Sequence, residues 1–281
     1  MGALDRIDTW PAPTAAGAVT VRRTPDSPTV SVTHGDIEHS FRIASITKPL
    51  SAFAMMIAVE EGSIDLDQPV GGPAPTGATM RHLLAHASGL PFDGREPIAA
   101  LGERRIYSNT GIEIAAEEVA SRTGIEFGTY LAEAVLDPLG MASTELKGSP
   151  AHGLWSTVAD VTRFISELLE PTLIAATTWS EMTRIQYPDL GGVVPGVGRF
   201  RPCPWGLGVE IHGDKSPHWM GRTNSPQTFG HFGGAGTMLW VDPIADVGLV
   251  ALTDLPFDRW SDTAVRSWRE LSDAVLAEVS E

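Results

Sequence analysis

Ser45-Ile46-Thr47-Lys48-Pro49-Leu50 stands where extended sequence gives way to helical periodicity. Just upstream, Phe41-Arg42-Ile43-Ala44 closes a β segment. Downstream, Leu50, Phe53, Ala54, Met56, Ile57 and Val59 recur on one broad face, and Gly62 follows as a stop signal. The spacing predicts a helix over 46–61. Pro49 has no amide hydrogen and is tolerated only near a helix start, which places that start close to Ser45. Residues three apart share a helix face, so Ser45 and Lys48 meet. A hydroxyl at a helix start lies among unpaired N–H groups and at the positive dipole end, where developing negative charge is stabilised. A lysine whose pKa is lowered by burial can take the hydroxyl proton. Taken alone, the same tetrad also describes a capped helix followed by a solvated lysine.

Working outward, residues 15–23 and 29–33 read as two strands, with Val19, Val21, Val30 and Val32 alternating, and turn composition over 24–28 makes them a hairpin. The middle of the chain is mainly helical: 80–87 behind a Thr79 cap, then 112–123, 127–135 and 158–169. The period changes again in the last third. Strands are expected over 205–211, 236–241 and 247–252, followed by an amphipathic helix over 259–279. Strands at both ends with helices between them predict an α+β (mixed α/β) fold. In it both chain termini form an antiparallel sheet flanked by helices, with a mainly helical lobe inserted. The expectation is one domain over 1–281, with a sheet lobe roughly over 1–45 and 200–281 and a helical lobe roughly over 46–199. The Gly/Pro-rich stretch 191–204 is the candidate mobile wall of a cleft.

Composition narrows the function. Asp and Glu total 35 against 20 Lys and Arg, a formal net charge of -15. Such a surface repels nucleic acid and anionic membranes, so the expected partner is a small molecule, an ester or an amide. One cysteine, Cys203, excludes an intramolecular disulfide framework and thiolate-clustered metal sites. The first residues lack a secretory signal and no segment has 18 uncharged apolar residues, so the expected location is cytoplasmic.

Two later segments carry further chemistry. Tyr107-Ser108-Asn109 offers a phenol that can relay a proton and an amide for a polar substrate group. His231-Phe232-Gly233-Gly234-Ala235-Gly236 lets a substrate lie close to a strand backbone, whose N–H can hold an oxyanion. Each has a plainer reading: a half-buried tyrosine beside a helix cap, and a flexible glycine-rich turn.

Together and in this order, the three segments resemble the serine hydrolases of the penicillin-binding-protein and β-lactamase fold, in the branch of class C β-lactamases and their family VIII esterase relatives. Leu83-Leu84-Ala85-His86-Ala87-Ser88-Gly89-Leu90, Gly153-Leu154-Trp155-Ser156-Thr157 with Asp160, and Trp205-Gly206-Leu207-Gly208 are similar to segments of the same family. The resemblance implies a β-lactamase/transpeptidase-like fold and a two-step reaction through an acyl-enzyme, with no metal and no cofactor. It implies Ser45 as nucleophile, Lys48 and Tyr107 sharing base and acid duties, Asn109 on the acyl side, and the N–H groups of Ser45 and Gly234 around the oxyanion. His231 stands where penicillin-recognising members carry lysine, and Phe232, a candidate substrate-binding residue, replaces a small hydroxyl residue, its ring either pointing away from the cleft or narrowing it and adding apolar contact. A mostly neutral histidine holds a substrate carboxylate less firmly than lysine does. Arg199 and Arg201 are the local cations that could replace it. The leading expectation is therefore a carboxylesterase for small or medium esters. The alternatives are a β-lactamase or D-amino-acid peptidase (DD-carboxypeptidase), and a non-catalytic binding protein of the same fold.

Other residues invite chemistry with less support. His82 and His86 have a helical metal-ligand spacing but no accompanying glutamate, and packing is the expected role of His86. His212 and His218 read as surface-loop residues. Cys203 reads as a small apolar filler or loop thiol. Trp155, Trp205 and Trp219 could line an acyl pocket, with core packing the default for each, and Trp155 is the one taken as a candidate substrate-binding residue.

Overall fold

The computed structural model describes residues 2–22 and 30–280. In chain order the regular elements are β1 (Ala15–Val21), β2 (Val30–His34), β3 (Phe41–Arg42), α1 (Thr47–Glu60), α2 (Met80–Leu84), α3 (Asn109–Thr123) and α4 (Phe127–Leu131). Then come β4 (Glu145–Leu146), β5 (Leu154–Ser156), α5 (Val158–Leu169), α6 (Ala176–Thr183), β6 (Gly192–Val194) and β7 (Gly198–Phe200). The last are β8 (Glu210–Ile211), β9 (Phe229–Gly233), β10 (Thr237–Asp242), β11 (Val247–Thr253) and α7 (Ser261–Ser280).

Six strands make one antiparallel sheet in the order β2-β1-β11-β10-β9-β8. Ala15 faces Thr253 and Val21 faces Val247, so the two ends of the described chain share the middle of the sheet. The expected 24–28 turn between β1 and β2 lies outside the described residues. The central strands are apolar on both faces, as strands covered on both sides must be. One face packs on α5 and the helical layer through Val250, Leu252 and Phe164; Gly248 admits the Ile165 side chain of α5 where a Cβ would collide with it. The other face packs under α7 and the N-terminal 3₁₀ segment through Trp240, Leu249 and Trp268. The result is three layers, helix, sheet and helix, as predicted. One refinement is that α5, from the middle of the sequence, lies directly on β1 and β11 rather than away from the sheet.

Helix α1 forms as the periodicity requires, and every residue from Thr47 to Met56 is buried. The expected strand over 205–211 is shortened to Glu210–Ile211. Trp205-Gly206-Leu207-Gly208 is instead a turn wedged against α1: Gly206 N–H donates to Val209 O, Leu207 N–H to Met182 O and Gly208 N–H to Leu84 O, at 2.8–2.9 Å. Gly208 has φ +75°, and a Cβ there would collide with Ala52 of α1. Backbone contact with the helix, rather than strand pairing, is what these glycines permit.

The loop after β8 corrects another expectation. His212 and His218 are buried rather than on the surface, because Glu210 draws the loop inward. Glu210 Oε1 accepts from Lys215 Nζ at 2.6 Å and His218 Nε2 at 2.7 Å, and Oε2 accepts from Trp219 Nε1 at 2.8 Å. Glu210, Lys215 and His218 are all almost fully buried. Burial opposes ionisation of Glu210, yet the Lys215 charge and the hydrogen bonds donated by His218 and Lys215 overcome it and hold the carboxyl well below its ordinary range. No helix among the described residues is long and apolar enough to cross a membrane.

Candidate active site

The Ser45 segment is locked from three sides before α1 begins. Ile43 N–H donates to Leu154 O of β5 at 3.0 Å, and Thr237 Oγ1 of β10 donates to Ile43 O at 2.9 Å. Thr47 Oγ1 donates to Ala44 O at 2.6 Å and accepts from Leu154 N–H at 3.1 Å. Between these clamps Ala44 has φ +47°, a conformation a non-glycine residue holds only when its surroundings over-determine it. Ser45 follows in a 3₁₀ turn over Ala44–Ile46 that leads into α1. Gly233 of β9 makes room for this backbone, since a Cβ there would collide with Ile43 O.

Lys48, on the first turn of α1, is fully buried. Its Nζ donates to Ser45 Oγ at 3.1 Å, Asn109 Oδ1 at 2.7 Å and Ala151 O at 3.0 Å. Burial lowers its pKa to about 7, against the charges of Glu113 and Asp93, which raise it. Asn109 is the first residue of α3. The helix cap is Ser108, whose Oγ accepts from Gly111 N–H at 3.0 Å, so the Asn109 side chain is free to face Lys48. Its Nδ2 donates to Asp93 Oδ1 at 3.1 Å, which fixes the amide orientation. Tyr107 lies with its ring centroid 4.6 Å from Lys48 Nζ. Burial pushes its phenol above the usual range, partly offset by a hydrogen bond with Ser45.

His231 on β9 turns toward Tyr107 and Trp205, with ring centroids 5.6 and 5.9 Å away. It is buried, and burial followed by the Lys48 charge lowers its pKa to about 3. Nδ1 donates to Phe232 O at 2.6 Å, which leaves Nε2 as an unprotonated acceptor without a protein partner among the described residues. Gly234, just past β9, is exposed, and a Cβ there would meet nothing within 4 Å. Ser45, Lys48, Tyr107, Asn109 and His231 thus converge from the 3₁₀ turn, α1, the 107–109 segment and β9.

Two expected site residues stand apart. Phe232 alternates to the opposite face of the sheet, where its ring packs on Trp219, Phe257 and Trp268, so the ring points away from the cleft rather than narrowing it. Trp155 lies beside Arg42 and Glu145 on the solvent side of the small β3-β5-β4 sheet, covered by Lys147, while its neighbours Leu154 and Ser156 face inward. The substrate-pocket reading of Trp155 is therefore set aside. Cys203 is buried, as expected of a filler.

His86 has a role that the sequence did not disclose. It diverges from His82, whose Nδ1 lies 2.9 Å from Thr79 Oγ1, and no group of three or more His, Cys, Asp or Glu is placed to hold a metal among the described residues. Instead it grips both neighbours of Tyr107. Its carbonyl accepts from Ile106 N–H at 2.9 Å, its Nδ1 accepts from Ser108 N–H at 3.2 Å, and its ring packs 4.7 Å from that of Tyr107. Its φ of +55° could not be read from the motif that contains it. His86→Phe keeps a ring but leaves Ser108 N–H buried and unpaired, at a cost of about 1–3 kcal/mol. It is expected to lower kcat about tenfold with little change in KM. His86→Asn restores an acceptor, tolerates positive φ and should recover most of the loss. Steady-state kinetics of the two variants beside chemical denaturation checks this.

A family model for Beta-lactamase matches residues 12–268. The crystal structure of a beta-lactamase from Mycobacterium bovis superposes with a TM-score of 0.93 at 48% identity, covering 99% of this chain and 100% of that one. The D-alanyl-D-alanine-carboxypeptidase/endopeptidase AmpH of Escherichia coli is 23% identical, over 79% of this chain and 72% of its own. The D-amino acid amidase of Ochrobactrum anthropi shares the fold, with a TM-score of 0.76 at 18% identity and coverage of 98% and 97%.

Proposed function

Because the chain belongs to the beta-lactamase family of serine hydrolases, we propose that it cleaves an acyl bond through an acyl-enzyme on Ser45, and that its substrate is an amide: a β-lactam or a D-amino-acid peptide. The observation that carries the chemistry is Lys48 Nζ, fully buried and 3.1 Å from Ser45 Oγ, with its pKa lowered to about 7. As a neutral amine it takes the hydroxyl proton while Oγ attacks the substrate carbonyl. The N–H groups of Ser45 and Gly234 hold the resulting oxyanion. Tyr107, a neutral phenol, passes a proton to the departing nitrogen as the C–N bond breaks, and Lys48, whose Nζ lies 4.6 Å from the Tyr107 ring centroid, returns its proton to the phenolate. Water then attacks the acyl-enzyme with the same groups in reverse order, releasing the acid and restoring Ser45.

The amide class is supported by what the relatives act on, a β-lactam and D-alanyl-D-alanine bonds. The ester expectation is kept as the second reading for one reason: the neutral, buried His231 offers a substrate carboxylate no cation. The test is intact-mass labelling with a fluorophosphonate, then turnover of a cephalosporin, a D-alanyl-D-alanine peptide and a neutral short-chain ester. A single adduct mapped to Ser45 and lost in Ser45→Ala is expected, with the amides turned over. Labelling elsewhere, with activity retained in Ser45→Ala, would sink the mechanism. Turnover of the ester alone would sink the substrate class.

A further inference from the structure

Beyond Tyr107 a cleft of about 500 Å³ runs between the 92–106 segment and the β6–β7 hairpin. Its wall reverses the charge character of the molecule. Elsewhere Arg22, Arg81, Arg95, Arg122 and Arg184 each sit on a carboxylate. Arg199 and Arg201, on either side of Phe200, are exposed and make no side-chain hydrogen bond or ion pair among the described residues. Arg104 joins them, donating to Ile98 O. The carboxylates in the same cleft are Glu103, whose side chain accepts from Ala100 N–H, and Asp189. Cations therefore outnumber acids here, in a chain of net charge -15.

The cleft is also apolar. Phe92, Ile98 and Val193 line it while 49%, 57% and 44% exposed, three of the large hydrophobic side chains that the fold leaves uncovered. Its hairpin wall is stitched to the Tyr107 segment: Arg105 N–H donates to Gly191 O at 2.9 Å and Arg105 bridges Gly192. A group in the cleft thus lies beside Tyr107.

Resting on the acyl-enzyme reading above, we infer that this cleft is a subsite for a substrate portion with an apolar body and a terminal carboxylate. Arg199 and Arg201 receive the charge, and Phe92, Ile98 and Val193 receive the body. Guanidinium forks suit carboxylates geometrically, and an apolar wall lowers the local dielectric that screens them. Charge selection then resides on the hairpin and not on His231.

The experiment uses aryl esters in matched pairs that differ only by a terminal carboxylate, placed on the acyl chain in one pair and on the leaving group in the other. The wild type is expected to favour the carboxylate in one pair by about tenfold in kcat/KM at low ionic strength, with the ratio falling as salt is added. In the double variant Arg199→Gln, Arg201→Gln the ratio should fall to near one. No preference in either pair, or a preference that survives the double variant, overturns the subsite while leaving the acyl-enzyme reading intact. If Ser45 is not labelled and no ester is cleaved, it is the acyl-enzyme reading that falls. Equilibrium binding of 4-phenylbutyrate against 4-phenylbutanamide, in wild type and double variant, then decides the subsite by the same ratio.

Discussion

Lys48→Met is expected to lower kcat/KM by roughly 10³-fold, the loss that follows removal of a well-placed general base. The variant should still fold. Methionine fills the buried volume of the lysine stem, and what it gives up are three hydrogen bonds, to Ser45, Asn109 and Ala151. The pH profile makes the assignment specific. The amine works only when neutral, and burial sets its pKa at about 7, so kcat/KM should rise through a single ascending limb with its midpoint near pH 7. Tyr107 cannot supply that limb, because its phenol is pushed above the usual range. Nor can His231, already neutral above about pH 3. A linked stability effect has a definite sign. The folded lysine binds its proton less tightly than the unfolded one, for which 10.5 is the ordinary value. It therefore costs stability below about pH 7, and that cost fades as pH climbs toward 10.5. Lys48→Met should accordingly gain on the wild type in denaturant midpoint as pH is lowered. A flat pH–rate profile, or a variant of near-native activity, would remove Lys48 from the chemistry.

Glu210→Ala is expected to destabilise the fold by about 3–5 kcal/mol, the usual consequence of leaving one partner of a buried ion pair alone. Lys215 would be stranded without a carboxylate, and the Trp219 N–H would lose its acceptor. The effect should hardly depend on salt, because the partners are buried. Glu210→Ala combined with Lys215→Met should recover most of the loss, since the cost lies in the uncompensated charge. The depressed folded pKa gives the acid dependence. The contribution is present above the ordinary glutamate value and is lost as pH falls toward the folded value. Activity should suffer as well, because Glu210 faces Gly230 on β9, next to His231. Urea titrations of the wild type and the two variants at two salt concentrations, and at neutral and acid pH, check all of this.

The elements with a long, unbroken period were legible. α1, α3, α5 and α7 show helical spacing over several turns, and β10 and β11 are continuous apolar runs bounded by a turn. Ser45, Lys48, Tyr107 and Asn109 could be nominated because their types and order carry the resemblance, and the fold does gather them. What escaped was decided by contacts distant in sequence. A period of two says that His231 and Phe232 point to opposite faces, but only the position of α7 settles which face holds the ring. Trp205-Gly206-Leu207-Gly208 alternates like a strand, yet its glycines answer to α1 and the 182–184 backbone. His218 looks like a loop residue until Glu210 is seen beneath it. The grip of His86 on Ser108 depends on a positive φ that local sequence does not announce.

The pairing of β1 with β11 also has a consequence for how the molecule comes into being. A ribosome delivers Ser45 and Lys48 early, together with strands β1 and β2, but β1 has only β2 beside it until Val247–Thr253 has emerged. α5 likewise has no completed sheet to lie on. Such long-range closure folds slowly, because loop entropy must be overcome before the pairing contacts form. Through that interval the apolar face of β1 is the surface a chaperone has to shield. The strand that carries His231 is held in place by β10, and β10 by β11, so a nascent chain stalled before Val247 holds Ser45 and Lys48 without the finished sheet that sets His231 beside Tyr107.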